Sequence, residues 1–194
     1  MRVEIRNNSI IIDGYVNAVA RDSRLIQDVK GNFKEQIVPK AFQRELEKAD
    51  NVDILLNHDK NRKLGSTTEG NLELFEDNIG LRAIAKITDA EVIEKAKKNE
   101  LRGWSFGFFS VKDRWEDADE GVQRRYVEDL ELTEVSIVDN TKIPAYSATS
   151  IETRADEELL TETRLLDSIV RTVDNSEKVN NFKYKEEIEI LKRK

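Results

Sequence analysis

The chain contains no cysteine. Disulfides, thiolate nucleophiles and cysteine-based zinc sites are therefore excluded. It contains one histidine, His58, and a zinc site built from several imidazoles cannot be assembled from one. No spacing of acids around a glycine fits a calcium loop. The apolar run of residues 10–12 stops at Asp13, too short for a signal-peptide core or a membrane span. Excess positive charge is also lacking. The net charge is −7 over 194 residues, so no global basic field draws in nucleic acid or an anionic membrane. The expectation is a soluble protein without a visible export signal and without nucleic-acid or membrane partners. Breakers are scarce and uneven. All eight glycines lie at or before Gly121, and the second of two prolines is Pro144.

What is present divides at that composition shift, with a boundary expected at residue 154. Residues 1–154 read as strands interrupted by two helices. Residues 9–20 are rich in β-formers. Residues 38–49 fit a helix with Pro39 at its first position and Phe42 and Leu46 four apart. Val52, Ile54, Leu56 and His58 alternate on one strand face, and the polar residues 60–65 read as a loop. Residues 71–76 and 79–87 form a hairpin pattern around Asp77 and Asn78. Thr88 and Glu91 make a capping box for a helix running to about residue 100. Strands follow near 104–112, 122–128 and 130–138. This predicts an α+β domain, a compact β-barrel with packed helices. In residues 155–194, Leu159, Leu166, Ile169, Val170 and Val173 recur at helical spacing amid mixed charge. That predicts a charged helical tail, either a solvated appendage or a partner-docking or self-associating helix.

Three segments could carry chemistry. The first is Leu56-Asn57-His58-Asp59, where His58 ends a strand beside a polar segment. Alone it reads more often as a satisfied structural histidine than as a reactive one, although a strand-to-loop edge is where reactive groups are commonly presented. The second is Gly103-Trp104-Ser105-Phe106-Gly107-Phe108-Phe109. Trp104, Phe106 and Phe108 face one way, and Ser105, Gly107 and Phe109 the other. The glycine beside Ser105 leaves room for another chain, and glycine backbone can offer N–H groups to an oxyanion. The G-x-S-x-G pattern matches a hydrolase elbow, but here a helix enters and a strand leaves, the reverse of that elbow. The third is the strand of residues 130–138. Glu134 shares phase there with Leu130, Leu132, Ser136 and Val138, a costly place for an unpaired acid.

The order and spacing of these blocks resemble the caudovirus prohead serine proteases. The resemblance covers roughly residues 10–154. It rests on Gly14-Tyr15, Val38-Pro39-Lys40-Ala41-Phe42, Asn57-His58-Asp59, Leu64-Gly65-Ser66-Thr67, Gly80-Leu81, the segments around Ser105 and Glu134, and Pro144-Ala145-Tyr146. The family looks like a relative of the herpesvirus assemblin fold. The resemblance implies a serine endopeptidase that cleaves scaffold and major-capsid-protein segments, and itself near residues 145–160. It places that activity in the host cytoplasm, inside the assembling procapsid. It carries the nucleophile onto Ser105 and the base onto His58. No metal or organic cofactor is implied. Herpesvirus relatives use a second histidine as third member, and this chain has none. Glu134 takes that place, ahead of Asp59 and Asp139, or the site is a dyad.

Two other classes compete. One is a non-catalytic capsid scaffolding or assembly protein built on a degenerate protease domain. The other is a β-rich binding module with an incidental serine and histidine, which requires Ser105 and His58 to lie beyond hydrogen-bond reach. Ser110 and Ser136 are the alternative nucleophiles.

Overall fold

The computed structural model describes residues 1–28, 31–118, 121–141, 151–152, 161–167 and 169–175. The described residues form two sheets. The first contains β1 (Arg2–Arg6), β2 (Ser9–Ala18), β7 (Leu72–Glu76), β8 (Gly80–Ile87) and β13 (Arg171–Asp174), in the order β13-β1-β2-β8-β7. The second is built on two long antiparallel strands, β9 (Leu101–Asp117) and β10 (Gln123–Asp139). β12 (Thr161–Asp167) adds to the free side of β9, and β11 (Ile151–Glu152) adds to β12.

The other side of β10 is shared between two strands. β4 (Gly31–Ile37), itself paired with β3 (Ile26–Asp28), runs parallel to its first half. β5 (Asp53–Leu56) runs parallel to its second half and turns into β6 (Asp59–Ser66). The short helix α1 (Ala41–Leu46) carries the chain from β4 to β5 and packs on β10. A second helix, α2 (Ala90–Lys97), connects β8 to β9.

One continuous core lies between the sheets. Val3, Ile5, Ile10, Ile12, Leu81 and Ala83 of the first meet Trp104, Phe106, Phe108, Leu130 and Ile137 of the second. Strict alternation supplies it. Trp104, Phe106 and Phe108 are fully buried on one face of β9, and Phe42 of α1 meets Phe106 edge-on at 5.4 Å. Burying such rings is worth a few kcal/mol each, so this aromatic run fixes the register of β9 against the core.

Several expectations are corrected. The two ladders do not close on each other, so the arrangement is two facing sheets rather than a closed barrel. Residues 60–65 are strand, not loop, because β6 folds back on β5. α1 starts at Ala41 rather than at Pro39. Lys40 stands before it at φ 70°, and the Glu76 carboxylate accepts from the Lys40 and Gln43 amides in place of a local cap. The cap of α2 is Asp89, whose carboxylate accepts from Val92 N–H at 3.0 Å. Glu91 pairs instead with Arg62 and Lys95.

Among the described residues of the expected helical tail, over 155–194, no helix is found. Residues 161–167 and 171–174 are the strands β12 and β13, which pair into different sheets. Thr163, Thr172 and Val173 are β-branched and favour strand. The charges at 162 and 164, two apart, satisfy a period of two that the apolar spacing had masked. Hydrogen-bonded structure thus continues past the expected boundary at 154, while residues 176–194 lie outside the described residues.

Candidate active site

His58 is delivered by a two-residue hairpin turn. Leu56 pairs with Asp59, and Asn57 and His58 between them have φ 56° and 61°. Positive φ at both central positions is the turn type whose twist matches a hairpin. Asn tolerates it well, and His is among the residues enriched there. Three hydrogen bonds fasten the turn to β10. Asn57 N–H donates to Ile137 O at 2.9 Å, Asp139 N–H to Asn57 Oδ1 at 3.1 Å, and His58 N–H to Ser136 Oγ at 3.1 Å.

Behind the turn, Asp139 is fully buried and forms an ion pair with Lys95 of α2 at 2.8 Å. Burial pushes its carboxyl up. The bonds from Lys95, Thr141 and Asn57 outweigh burial and hold it at about 2.

The ring of His58 lies between two side chains. Its Nδ1 is 2.6 Å from Glu134 Oε1, and its Nε2 is 2.7 Å from Ser105 Oγ. The second carboxylate oxygen of Glu134 accepts from Ser136 Oγ at 2.5 Å. Glu134 is therefore a buried acid with both oxygens occupied, the condition under which burial is tolerated. Ser136 is directly opposite Ser105 in the β9–β10 ladder, and it supports Glu134 and the His58 backbone rather than facing the ring. Asp59 is exposed and binds Asn61. Ser110 lies near Asp113 in an exposed part of β9.

Glu134 reaches this position because β10 carries an irregularity between Leu132 and Glu134, and because Gly107 lies opposite. A Cβ on Gly107 would stand 2.8 Å from Glu134 Oε1 and 2.7 Å from Thr133 Oγ1. The glycine makes room for the carboxylate, not only for an approaching chain.

The arrangement is a linear relay. A carboxylate accepts from one imidazole nitrogen, and the other nitrogen faces a serine hydroxyl. With Nδ1–H on Glu134, Nε2 is free to accept the serine proton, which raises the nucleophilicity of Oγ. Ser105 and His58 thus lie within hydrogen-bond reach at 2.7 Å, not beyond it as the binding-module alternative requires. Ser105 is 1% exposed, and its hydroxyl also contacts the Arg164 carbonyl oxygen of β12 at 2.7 Å. The His58 side chain keeps 26% of its surface open.

Sequence reasoning missed a second buried cluster beside the relay. Arg164 places Nε and Nη2 on the two oxygens of Glu35 at 2.7 and 2.8 Å. Arg125 Nη1 meets Glu162 Oε2 at 2.6 Å and Glu35 Oε2 at 3.2 Å, and Arg125 Nε meets Asp113 at 2.7 Å. Burial alone favours the neutral forms. The opposite charges outweigh it, holding Glu162 below its usual range and both arginines above theirs. The signal was available, since Glu35 lies in phase with Phe33 and Ile37, and Arg125 with Val127.

Among the described residues no group of acids or histidines could hold a metal ion, and no helix is long and apolar enough to cross a membrane. No curated protein and no solved structure matches the chain. The family model described as caudovirus prohead serine protease matches residues 1–163, a span that holds all three relay residues and ends inside β12. The chain therefore belongs to the caudovirus prohead serine protease family.

Proposed function

We propose that this chain is a maturation endopeptidase that cleaves scaffold and major-capsid-protein segments, and itself, inside the assembling procapsid in the host cytoplasm. Ser105 is the nucleophile, His58 the general base and Glu134 the residue that orients and charge-balances the ring. The observation that carries this reading is the alignment of Glu134, His58 and Ser105, with contacts of 2.6 and 2.7 Å.

In the first step Ser105 Oγ attacks the carbonyl carbon of the scissile peptide, and its proton passes to His58 Nε2. Glu134 faces the imidazolium so formed. His58 returns the proton to the leaving nitrogen as the C–N bond breaks. Water then repeats the sequence on the acyl-serine and releases the second product. Self-cleavage is expected within residues 145–160, of which only Ile151 and Glu152 are among the described residues.

The competing reading is a non-catalytic assembly protein on a degenerate protease domain. The near-complete burial of Ser105 is the observation on its side. The experiment that separates them incubates purified chain with capsid-protein and scaffold segments and follows new termini by mass spectrometry. Ser105→Ala and His58→Gln should each abolish cleavage in a folded protein. Undiminished cleavage by folded Ser105→Ala would remove the assignment, and absence of cleavage both by the parent chain and by folded Arg164→Gln, in which the strand over Ser105 loses its ion pair with Glu35, would favour the assembly reading.

A further inference from the structure

β12 occupies the side of β9 that a substrate strand would need. It pairs antiparallel with β9 across the nucleophile, with Glu162 opposite Phe108, Arg164 opposite Phe106 and Leu165 opposite Ser105. Its Arg164 carbonyl is the group that meets Ser105 Oγ. Strand addition to a sheet edge is a common way to hold an extended peptide, with backbone bonds giving affinity and alternate side chains giving specificity.

The alternate side chains here are Glu162 and Arg164. They project to the side of Phe106 and Phe108, across the sheet from the serine hydroxyl. Each meets a complementary group from a different strand, Arg125 of β10 for the acid and Glu35 of β4 for the base. The Arg164 guanidinium also lies over the Phe108 ring at 5.3 Å. A bidentate carboxylate with an aromatic face is a receptor for arginine rather than for any apolar side chain.

We propose that Glu35 and Arg125 are specificity-determining residues that select an extended Glu-x-Arg segment, and that β12 is this chain's own copy of that segment seated in the site. The inference rests on Ser105 being the nucleophile. It deepens that reading by placing a basic residue immediately before the scissile bond and an acidic one two positions earlier.

The self-strand sits there as a blocker. Attack requires Oγ on the carbonyl carbon, whereas here the hydroxyl donates to the carbonyl oxygen, an arrangement that leaves the peptide bond intact. The hydroxyl has one hydrogen. While Arg164 O takes it, Nε2 of His58 does not, so a substrate is served only after β12 lifts. A segment of the same pattern arriving from another molecule would recover the same ion pairs as β12 leaves.

The test uses the full chain, a fluorophosphonate that labels activated serines, and the peptide Thr-Glu-Thr-Arg-Leu-Leu-Asp. Arg164→Gln and Arg164→Ala should each label at Ser105 at least about tenfold faster than the parent, because losing one partner of a buried charge pair loosens the strand by more than that factor. Added peptide should slow labelling of the Arg164→Gln chain. The same peptide with glutamine in place of arginine should need at least about tenfold more to do so. Arg164→Gln chain given a mixed peptide library should cut after arginine where an acid stands two residues before, and Glu35→Gln made in that background should erase the preference for arginine. Unchanged labelling in folded variants, or equal blocking by the two peptides, would overturn the proposal. So would unfolding of both Arg164 variants, which would make β12 part of the fold's foundation. If no chain labels at Ser105, the nucleophile reading fails. Fluorescence anisotropy of the two labelled peptides on the Arg164→Gln chain then still decides whether an arginine receptor exists.

Discussion

Glu134 and Gly107 form a pair at the scale of single residues. The proposed role of the carboxylate requires it to meet Nδ1, and a Cβ at residue 107 would stand 2.8 Å from the oxygen that does so. Two substitutions separate these roles. In a serine-protease triad, replacing the orienting acid by its amide costs about 10⁴ in turnover. Glu134→Gln should lower kcat on a peptide substrate by at least about a hundredfold with little change in KM. Gly107→Ala keeps the acid in the sequence but displaces its carboxylate, and a misplacement of about 1 Å costs up to roughly a hundredfold. Its kcat should fall between the parent and Glu134→Gln while circular dichroism shows a folded protein. Parent-like turnover in a folded Gly107→Ala protein would show that the carboxylate tolerates the shift.

The phase of Glu134 with Leu130 and Leu132 was legible in the sequence, because a period of two is a local property. The clearance at Gly107 was not. It depends on which residues of β9 and β10 lie opposite each other, and that register follows from the irregularity at residues 132–134.

At the scale of elements, the histidine turn is held by what lies beneath it. Asn57 connects the turn to Asp139, and Asp139 connects it to Lys95 of α2. The folded carboxyl titrates at about 2, below the ordinary value of about 3.9 for an unfolded chain. Its contribution is therefore complete above about pH 4 and is lost as pH falls through about 2. The difference is roughly 2 to 3 kcal/mol, at about 1.4 kcal/mol per pK unit. Thermal melts of the parent and Asp139→Asn should differ most at neutral pH and converge as pH falls from 4 to 2. A gap that stays constant over that range would exclude Asp139 as the titrating group. The variant should also lose activity at neutral pH, because the amide no longer offers Lys95 a charge and the turn loosens.

The strands at residues 9–18, 53–56, 72–76 and 80–87 were readable because alternation and turn residues mark them locally, whereas β3, β4 and β6 were not. The turn at Asn57 and His58 was read only as a strand end. Nothing in the local pattern shows that the chain after it returns along β5.

At the scale of the whole molecule, residues 161–174 tie the two sheets together. β12 lies on β9 of the second sheet and β13 on β1 of the first. The sequence suggested a helix here because five apolar residues happened to match a period of 3.6. The decisive residues were the charged ones, whose partners Glu35 and Arg125 are far away along the chain and could not be inferred from spacing. The attachment of β13 can be weakened alone. Arg171 N–H donates to Met1 O at 3.0 Å, and Arg171→Pro removes that donor. This variant should lower the apparent KM for a peptide substrate severalfold while leaving kcat unchanged. A KM equal to that of the parent would show that β12 holds its place without the β13 anchor.

The short span from β12 to β13 also sets a concentration. A strand tethered three residues from a fixed anchor is present at its own site at an effective concentration on the order of millimolar, whatever the dilution of the protein. A substrate segment of equal intrinsic affinity gains half the sites only when it is equally crowded. The chain would then be nearly silent toward dilute protein and responsive where its targets are packed at comparable density. Cutting or releasing the anchor would convert a resident competitor into one that simply diffuses away.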